Sequence, residues 1–217
     1  MESSQTLPIL DRTELRILGV LMEKSKTTPE YYPMTVNAIT IACNQKTSRK
    51  PVVQYDEQTV VLTLDRLKKK GLISTATGGS SRSIKYKHNF AIVFPVTPQE
   101  VAILCLLILR GPQTPGELNT NSGRLYEFES LDEVQSVLER LADPEMPYVM
   151  QLPRRAGQKE TRYTHLLAGA PDLTSEEFQE ELSPGKPSSE LESRLTKVEQ
   201  ELAELKAAFD QLMKELT

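Results

Sequence analysis

The chain has no long apolar run. Its longest, Val101 to Leu109, is nine residues, under half of the ~20 needed to cross a bilayer, so no membrane partner is expected. The opening MESSQTLPILDR has no basic stretch followed by an apolar one, so no secretory leader is expected. Only two cysteines occur, Cys43 and Cys105. Both lie in apolar helical contexts, which excludes a disulfide framework and fits small buried hydrophobes in a reducing cytoplasm. Histidine is as scarce. His88 and His165 lack Cys or carboxylate neighbours at metal-ligand spacing. Nucleophile elbow, Walker A loop, dinucleotide fingerprint and HExxH are all missing. Gly78-Gly79-Ser80-Ser81 is too short for a phosphate cradle and reads as a hairpin turn. These absences argue against an enzyme and lead us to expect no catalytic residues, metal or cofactor in a cytoplasmic protein.

Charge is plentiful but uneven. Overall the chain carries −4. From Asn44 to Lys87 stand ten bases and three acids, a balance of +7, and from Pro171 to the end twelve acids and five bases, a balance of −7. A basic segment inside an acidic chain points to a polyanionic partner more than the total does.

The most distinctive stretch is Thr28 to Val53, punctuated by Pro29, Pro33 and Pro51. Proline fixes φ and bars the preceding residue from the helical region. Between the prolines, Thr35 caps a predicted short helix to about Asn44, followed by a basic turn with Lys46, Arg49 and Lys50. A first helix is predicted from about Thr13 to Lys24. A third is predicted from about Asp56 to Lys70, with Val60, Val61, Leu64 and Leu67 as its buried stripe. Gly71 ends it. A hairpin follows, Leu72 to Ala76 and Ser83 to Phe90. Three helices and a glycine-tipped hairpin is the order of a winged-helix domain.

The order then repeats. ELRIL at Glu14 matches EVAIL at Glu100, and Thr28-Pro29 matches Thr114-Pro115, both at an offset of 86. LDRL at Leu64 matches LERL at Leu138 at 74, and Lys85 to His88 matches Arg162 to His165 at 77. Ordered matches of this kind mark two copies of one unit. The drop from 86 to 74 is placed between the second and third helices, so copy two is expected to lack most of the Asn44–Val53 connection. Its helices are predicted at Pro98–Arg110, Pro115–Ser122 and Leu131–Ala142, with a hairpin from Tyr148 to Leu167. His88 and His165 occupy equivalent places, which argues for a structural role.

The expected fold is mainly α with small β-hairpins, an α+β chain. A flexible arm (1–10) precedes two tandem winged-helix domains (11–93 and 94–168), a linker (169–189) and a coiled-coil helix (190–217). In that last helix Leu191, Leu195, Val198, Leu202, Leu205, Phe209, Leu212 and Leu216 are spaced 4, 3, 4, 3, 4, 3, 4. This a/d heptad favours pairing between chains, hence a homodimer, over folding back.

The expected activity is double-stranded DNA binding. On the third helix, Gln58, Thr59, Thr63 and Arg66 are the candidates for base edges or phosphates. Lys46, Arg49 and Lys50 in the connection, and Arg82 by the wing tip, are candidates for phosphates. Copy two exposes Asp132, Glu133 and Glu139 on its third helix. Only its wing, with Arg154, Arg155, Lys159 and Arg162, is basic, so copy two is expected to bind protein or to touch the DNA backbone through the wing. The alternative is a protein-interaction scaffold using the second unit or the coiled coil.

The strings LMEKSKTTPEYYPMTVNAITIACNQKTSRKPV, LLILRGPQTPGEL, RLYEF and RYTHL resemble the YceH family of bacterial proteins. The resemblance runs from Thr13 to the C-terminal helix. It implies a cytoplasmic protein of two tandem winged helices and no particular activity. The family pattern is kept at Thr28, Pro29, Pro33, Asn37, Asn44, Gln45, Lys46, Arg49 and Pro51. Lys50 stands where the family commonly has Glu, which makes this patch more basic than the resemblance requires.

Overall fold

The computed structural model describes residues 7–76, 83–154 and 160–173, and the single positions Lys197, Gln200 and Lys206. It has one compact unit, Met1–Leu173, and a second, Thr174–Thr217. In the second unit, the three described positions are helical and exposed. The heptad residues lie outside the described residues.

The first unit is α+β and built from a repeated order. Helices α1 (Arg12–Thr27), α2 (Val36–Cys43) and α3 (Glu57–Lys69) lead to strands β1 (Ile73–Ala76) and β2 (Lys85–His88). A one-turn helix α4 (Phe90–Val93) follows. Then α5 (Pro98–Arg110), α6 (Pro115–Ser122) and α7 (Leu131–Leu141) lead to β3 (Val149–Gln151) and β4 (Tyr163–His165). Each hairpin is antiparallel. Ile73 pairs with His88 in the first and Val149 with His165 in the second, so the two histidines do stand at equivalent register positions.

Local chemistry sets the helix starts. A helix leaves its first amide groups unsatisfied, and an Asp, Ser or Thr side chain before it supplies the acceptor. Asp11 Oδ1 accepts from the Thr13 and Glu14 amides, and Glu14 reaches back to the Asp11 amide, 3.0 Å away. The same reciprocal box forms at Thr97 with Glu100 and at Thr114 with Glu117. Pro98 and Pro115 occupy first-turn positions, where proline's missing N–H costs nothing.

The offsets fall differently from the sequence expectation. Thr114 caps α6, so its structural equivalent is Thr35, which caps α2, and not Thr28. Just before each cap a residue bridges to the second hairpin strand: Met34 exchanges backbone hydrogen bonds with Tyr86, and Gln113 with Tyr163. The offset is therefore 86 at α1, 79 at α2 (35 to 114) and 74 at α3 (57 to 131). Copy two is shorter by seven residues before its second helix and by five after it. The expected single twelve-residue loss is corrected. Pro29–Tyr31 forms a 3-10 turn in the extra segment, and the Tyr32-Pro33 and Lys50-Pro51 bonds are cis.

The core is continuous across both repeats. α1 and α5 make the most extensive helix-to-helix contact of the described chain. α1 buries Ile17, Leu18, Val20, Leu21 and Met22, and every residue from Val101 to Leu109 is buried. The nine-residue apolar run is thus a core helix covered all round. Gly19 permits the close approach: a Cβ there would lie 2.7 Å from Ile108 Cγ2 and 2.9 Å from Leu109 Cδ2. Phe90, Phe94 and Tyr148 add a chain of ring contacts at 4.8 and 5.9 Å that ties α4 to the second hairpin.

Two further expectations are corrected. Residues 1–10 are not all a loose arm, because Leu10 is buried and its amide donates to the Leu167 carbonyl at 2.8 Å. Val61 is not in the α3 stripe. It is 40% exposed, and Thr63 takes the buried position between Val60 and Leu64.

Candidate nucleic-acid interface

The α2–α3 connection is a pinned loop. Asn44 closes it, donating through Nδ2 to the Tyr55 carbonyl and accepting from the Tyr55 amide, both at 2.8 Å. The Lys50 amide donates to the Leu109 carbonyl at 2.8 Å, fastening the segment to the end of α5. Buried Arg16 reaches the Pro51 carbonyl from α1.

Arg49 is the largest correction to the sequence-predicted site. Its side chain is buried and grips Glu23 with two bonds, Nη1 to Oε1 at 3.0 Å and Nη2 to Oε2 at 2.6 Å. It also donates to the carbonyls of Ala42 and Ser48 and to Gln45 Oε1. Every donor is spent inside the protein, so Arg49 contacts no phosphate. Burial alone would push the Glu23 carboxyl up. Its hydrogen bonds to Arg49 and that residue's charge outweigh this and hold it below the usual carboxylate range.

On α3 the expected readers divide. Gln58 is exposed and Thr59 half-buried. Thr63 is buried, with its hydroxyl donating to the Thr59 carbonyl at 2.8 Å, and cannot reach a base edge. Arg66 is half-exposed but turned to the start of α1, pairing with Asp11 at 3.1 Å. Its second carboxylate neighbour, Glu14, binds Lys70 at 2.8 Å. The outward residues of α3 are instead Gln58, Val61, Leu62 and Asp65, with Lys68 and Lys69 in the last turn. This face offers one amide, two apolar groups and a carboxylate, and its cations stand only at its C-terminal end.

Lys46 and Lys50 are exposed, as is Arg154 in the second hairpin. Arg162 is committed: it forks onto Glu117 with two 2.7 Å bonds and donates to the Pro112 carbonyl. It therefore braces β4 against α6 and is not a free wing charge. Arg82, Arg155 and Lys159 lie outside the described residues. His88 is structural: its Nδ1 accepts from the Phe90 amide, which places the proton on Nε2, facing Ser25 Oγ at 3.2 Å. No cluster of metal-binding side chains occurs among the described residues, and no described helix is long and apolar enough to cross a membrane.

Sequence reasoning missed the role of Arg110 and Arg124, which sit with Lys24 and Lys46 around a cleft between α1, α5 and the α2–α3 connection. These residues come from separate segments, so no local pattern marks them.

The fold and surface define a class: an α+β chain of two like helical units, each ending in a hairpin, with its excess of lysine on the first. The chain belongs to the family described as "Protein of unknown function, DUF480", which matches residues 10–158. This agrees with the YceH resemblance of the sequence. A UPF0502 protein of Opitutus terrae is 49% identical over 181 residues, covering 83% of this chain and 79% of that one. UPF0502 proteins of Shewanella sp. (strain ANA-3) and Solibacter usitatus are 44% and 46% identical. These cover 94% and 93% of this chain and 97% and 95% of their own lengths.

Proposed function

We propose that the chain is a non-enzymatic protein of two tandem winged-helix domains, dimeric through its C-terminal helix, that binds double-stranded DNA chiefly by its phosphates. The winged-helix reading rests on the repeated order of helices and hairpin. It rests equally on the short bridge that Met34 and Gln113 add beside each hairpin. The observation that carries DNA binding is the surplus of uncommitted lysine on the first unit. Lys46, Lys68, Lys69 and Lys87 are exposed and Lys85 half-exposed, and none of the five pairs with a carboxylate among the described residues. Lysine binds phosphate as a point charge. With Thr63 buried and Arg66 paired, such contacts support affinity with little base readout by α3.

Fluorescence anisotropy on random duplex DNA across a salt series tests this. Log affinity is expected to fall with log salt, by a slope of about 0.9 per phosphate contact. Lys46→Glu and Lys69→Glu should each lower that slope by about one contact. No binding at low salt overturns the reading. Arg49 is left intact, since its loss would unfold the region and not report on DNA.

A second reading, a protein-interaction scaffold, is favoured by one observation: the outward face of α3 shows Leu62 at 59% and Val61 at 40% exposure beside Asp65. Apolar groups facing water beside a carboxylate suit a protein partner better than a phosphate backbone. Recovery of one stoichiometric protein partner, unaffected by nuclease, would favour it.

A further inference from the structure

A cleft of about 390 Å³ opens between the two repeats. α1 supplies Glu23 and Lys24, the turn after α2 supplies Gln45 to Ser48, α5 supplies Leu106 and Arg110, and the end of α6 supplies Asn121, with Arg124 and Leu125 beyond it. Four of its lining side chains are cations and only one is a carboxylate. That carboxylate is already held: Arg49 binds both Glu23 oxygens from behind, and Lys24 lies 3.2 Å from one of them. Counting Arg49, five cations surround one anion.

Among the described residues the remaining cations form no ion pair with a carboxylate. Arg110 is half-buried, and its hydrogen-bond partner is the neutral Asn121 Oδ1, at 2.6 Å. Burial draws its pKa below the ordinary guanidinium range, with Glu23 opposing and Arg49 reinforcing the shift. Among the described residues Lys46 and Arg124 pair with nothing. The neutral groups are oriented too. Gln45 Oε1 accepts from both Lys24 and Arg49, so its amide nitrogen is the half left to serve a ligand. Thr47 and Ser48 add hydroxyls, and Leu106 and Leu125 an apolar wall. Uncompensated like charges around a concave, partly dry site repel one another and focus potential on an anion.

We propose that this cleft binds a small phosphorylated molecule, its phosphate held by Arg110, Arg124 and Lys46 and its organic part resting against Leu106 and Leu125. The volume is in the range of small-molecule sites and exceeds what a bare phosphate fills. The α2–α3 connection, longer by five residues in the first repeat, supplies Gln45 to Ser48, so the site draws on a segment that the second repeat has shortened. A ligand there would bridge both repeats. The proposal does not depend on DNA binding, although Lys46 serves both.

The test uses the full chain and inorganic pyrophosphate as probe, with sodium chloride at matched ionic strength, read by thermal shift and calorimetry. Pyrophosphate is expected to bind saturably and to raise the melting temperature where chloride does not. Arg110→Gln and Arg124→Gln, neither assigned to the DNA contact, should each weaken pyrophosphate at least about tenfold, as loss of a charge-assisted contact does. Arg154→Gln should leave it unchanged. Arg124 is exposed, so its variant should keep the fold and melt normally without ligand. An equal response to chloride, or wild-type affinity in both cleft variants, overturns the proposal. If Arg110→Gln and Arg124→Gln weaken duplex DNA binding but pyrophosphate does not bind, the phosphate source is the DNA backbone and the small-molecule site is excluded. Loss of DNA binding with pyrophosphate binding intact would instead leave this proposal standing and remove the preceding one.

Discussion

Lys46 and Arg49 stand three residues apart in one basic turn and have opposite fates. Arg49 is buried on Glu23, and removing one partner of a buried pair leaves the other charge uncompensated. Arg49→Ala is expected to cost about 3–5 kcal/mol in urea unfolding, whereas Lys46→Ala, on an exposed residue, should stay within about 0.5 kcal/mol. The two histidines predict a pH response. Burial pulls His88 down to about 4, with Lys26 adding to the shift, and burial alone takes His165 to about 4. Both folded values lie below the ordinary 6.5, so the unfolded chain takes up protons first as pH falls. Their contribution is complete above pH 6.5 and is lost as pH drops toward 4. Urea midpoints across that window should fall more steeply in the wild type than in the His88→Gln, His165→Gln double variant.

The elements were legible where their ends carry chemistry. α5 and α6 begin and end as the sequence predicts, because Thr97-Pro98 and Thr114-Pro115 pair a cap with a first-turn proline. α1 runs three residues beyond its predicted end, since Ser25, Lys26 and Thr27 carry no apolar signal. α4 went unread because four residues are too few to show a period. The Thr-Pro dipeptide misled the repeat alignment by occurring once as a helix cap and once before a 3-10 turn. The site was less legible than the fold: whether a basic residue faces solvent or a carboxylate 26 positions away, as Arg49 does, is a tertiary fact. Gly19 gives the element-scale prediction. Ala there gains up to about 1 kcal/mol of helix propensity, yet its methyl meets Ile108 at 2.7 Å. Val adds two more carbons, so Gly19→Val should destabilise by at least about 1–3 kcal/mol through overpacking, with a lowered melting temperature as the readout.

At the scale of the whole molecule, the proposed dimer rests on the heptad spacing read in residues 190–217. Deleting residues 190–217 is expected to give monomers in sedimentation, and a truncated protein that stays dimeric would place the interface elsewhere. The contact inside Met1–Leu173 has a consequence of another kind. α1 and α5 are equivalent helices of two copies, and they pack on each other. Cys105 is the residue 86 positions beyond Gly19, and its thiol points at the Gly19 carbonyl, 3.5 Å away. A position meeting its own counterpart is what happens at the two-fold axis of a symmetric dimer. The joined repeats therefore have the geometry of a pair whose subunits were fused into one chain. Two halves within one chain need not match as the subunits of a symmetric dimer must, and here the first carries the exposed lysines and the longer connection while the second exposes Asp132 and Glu139.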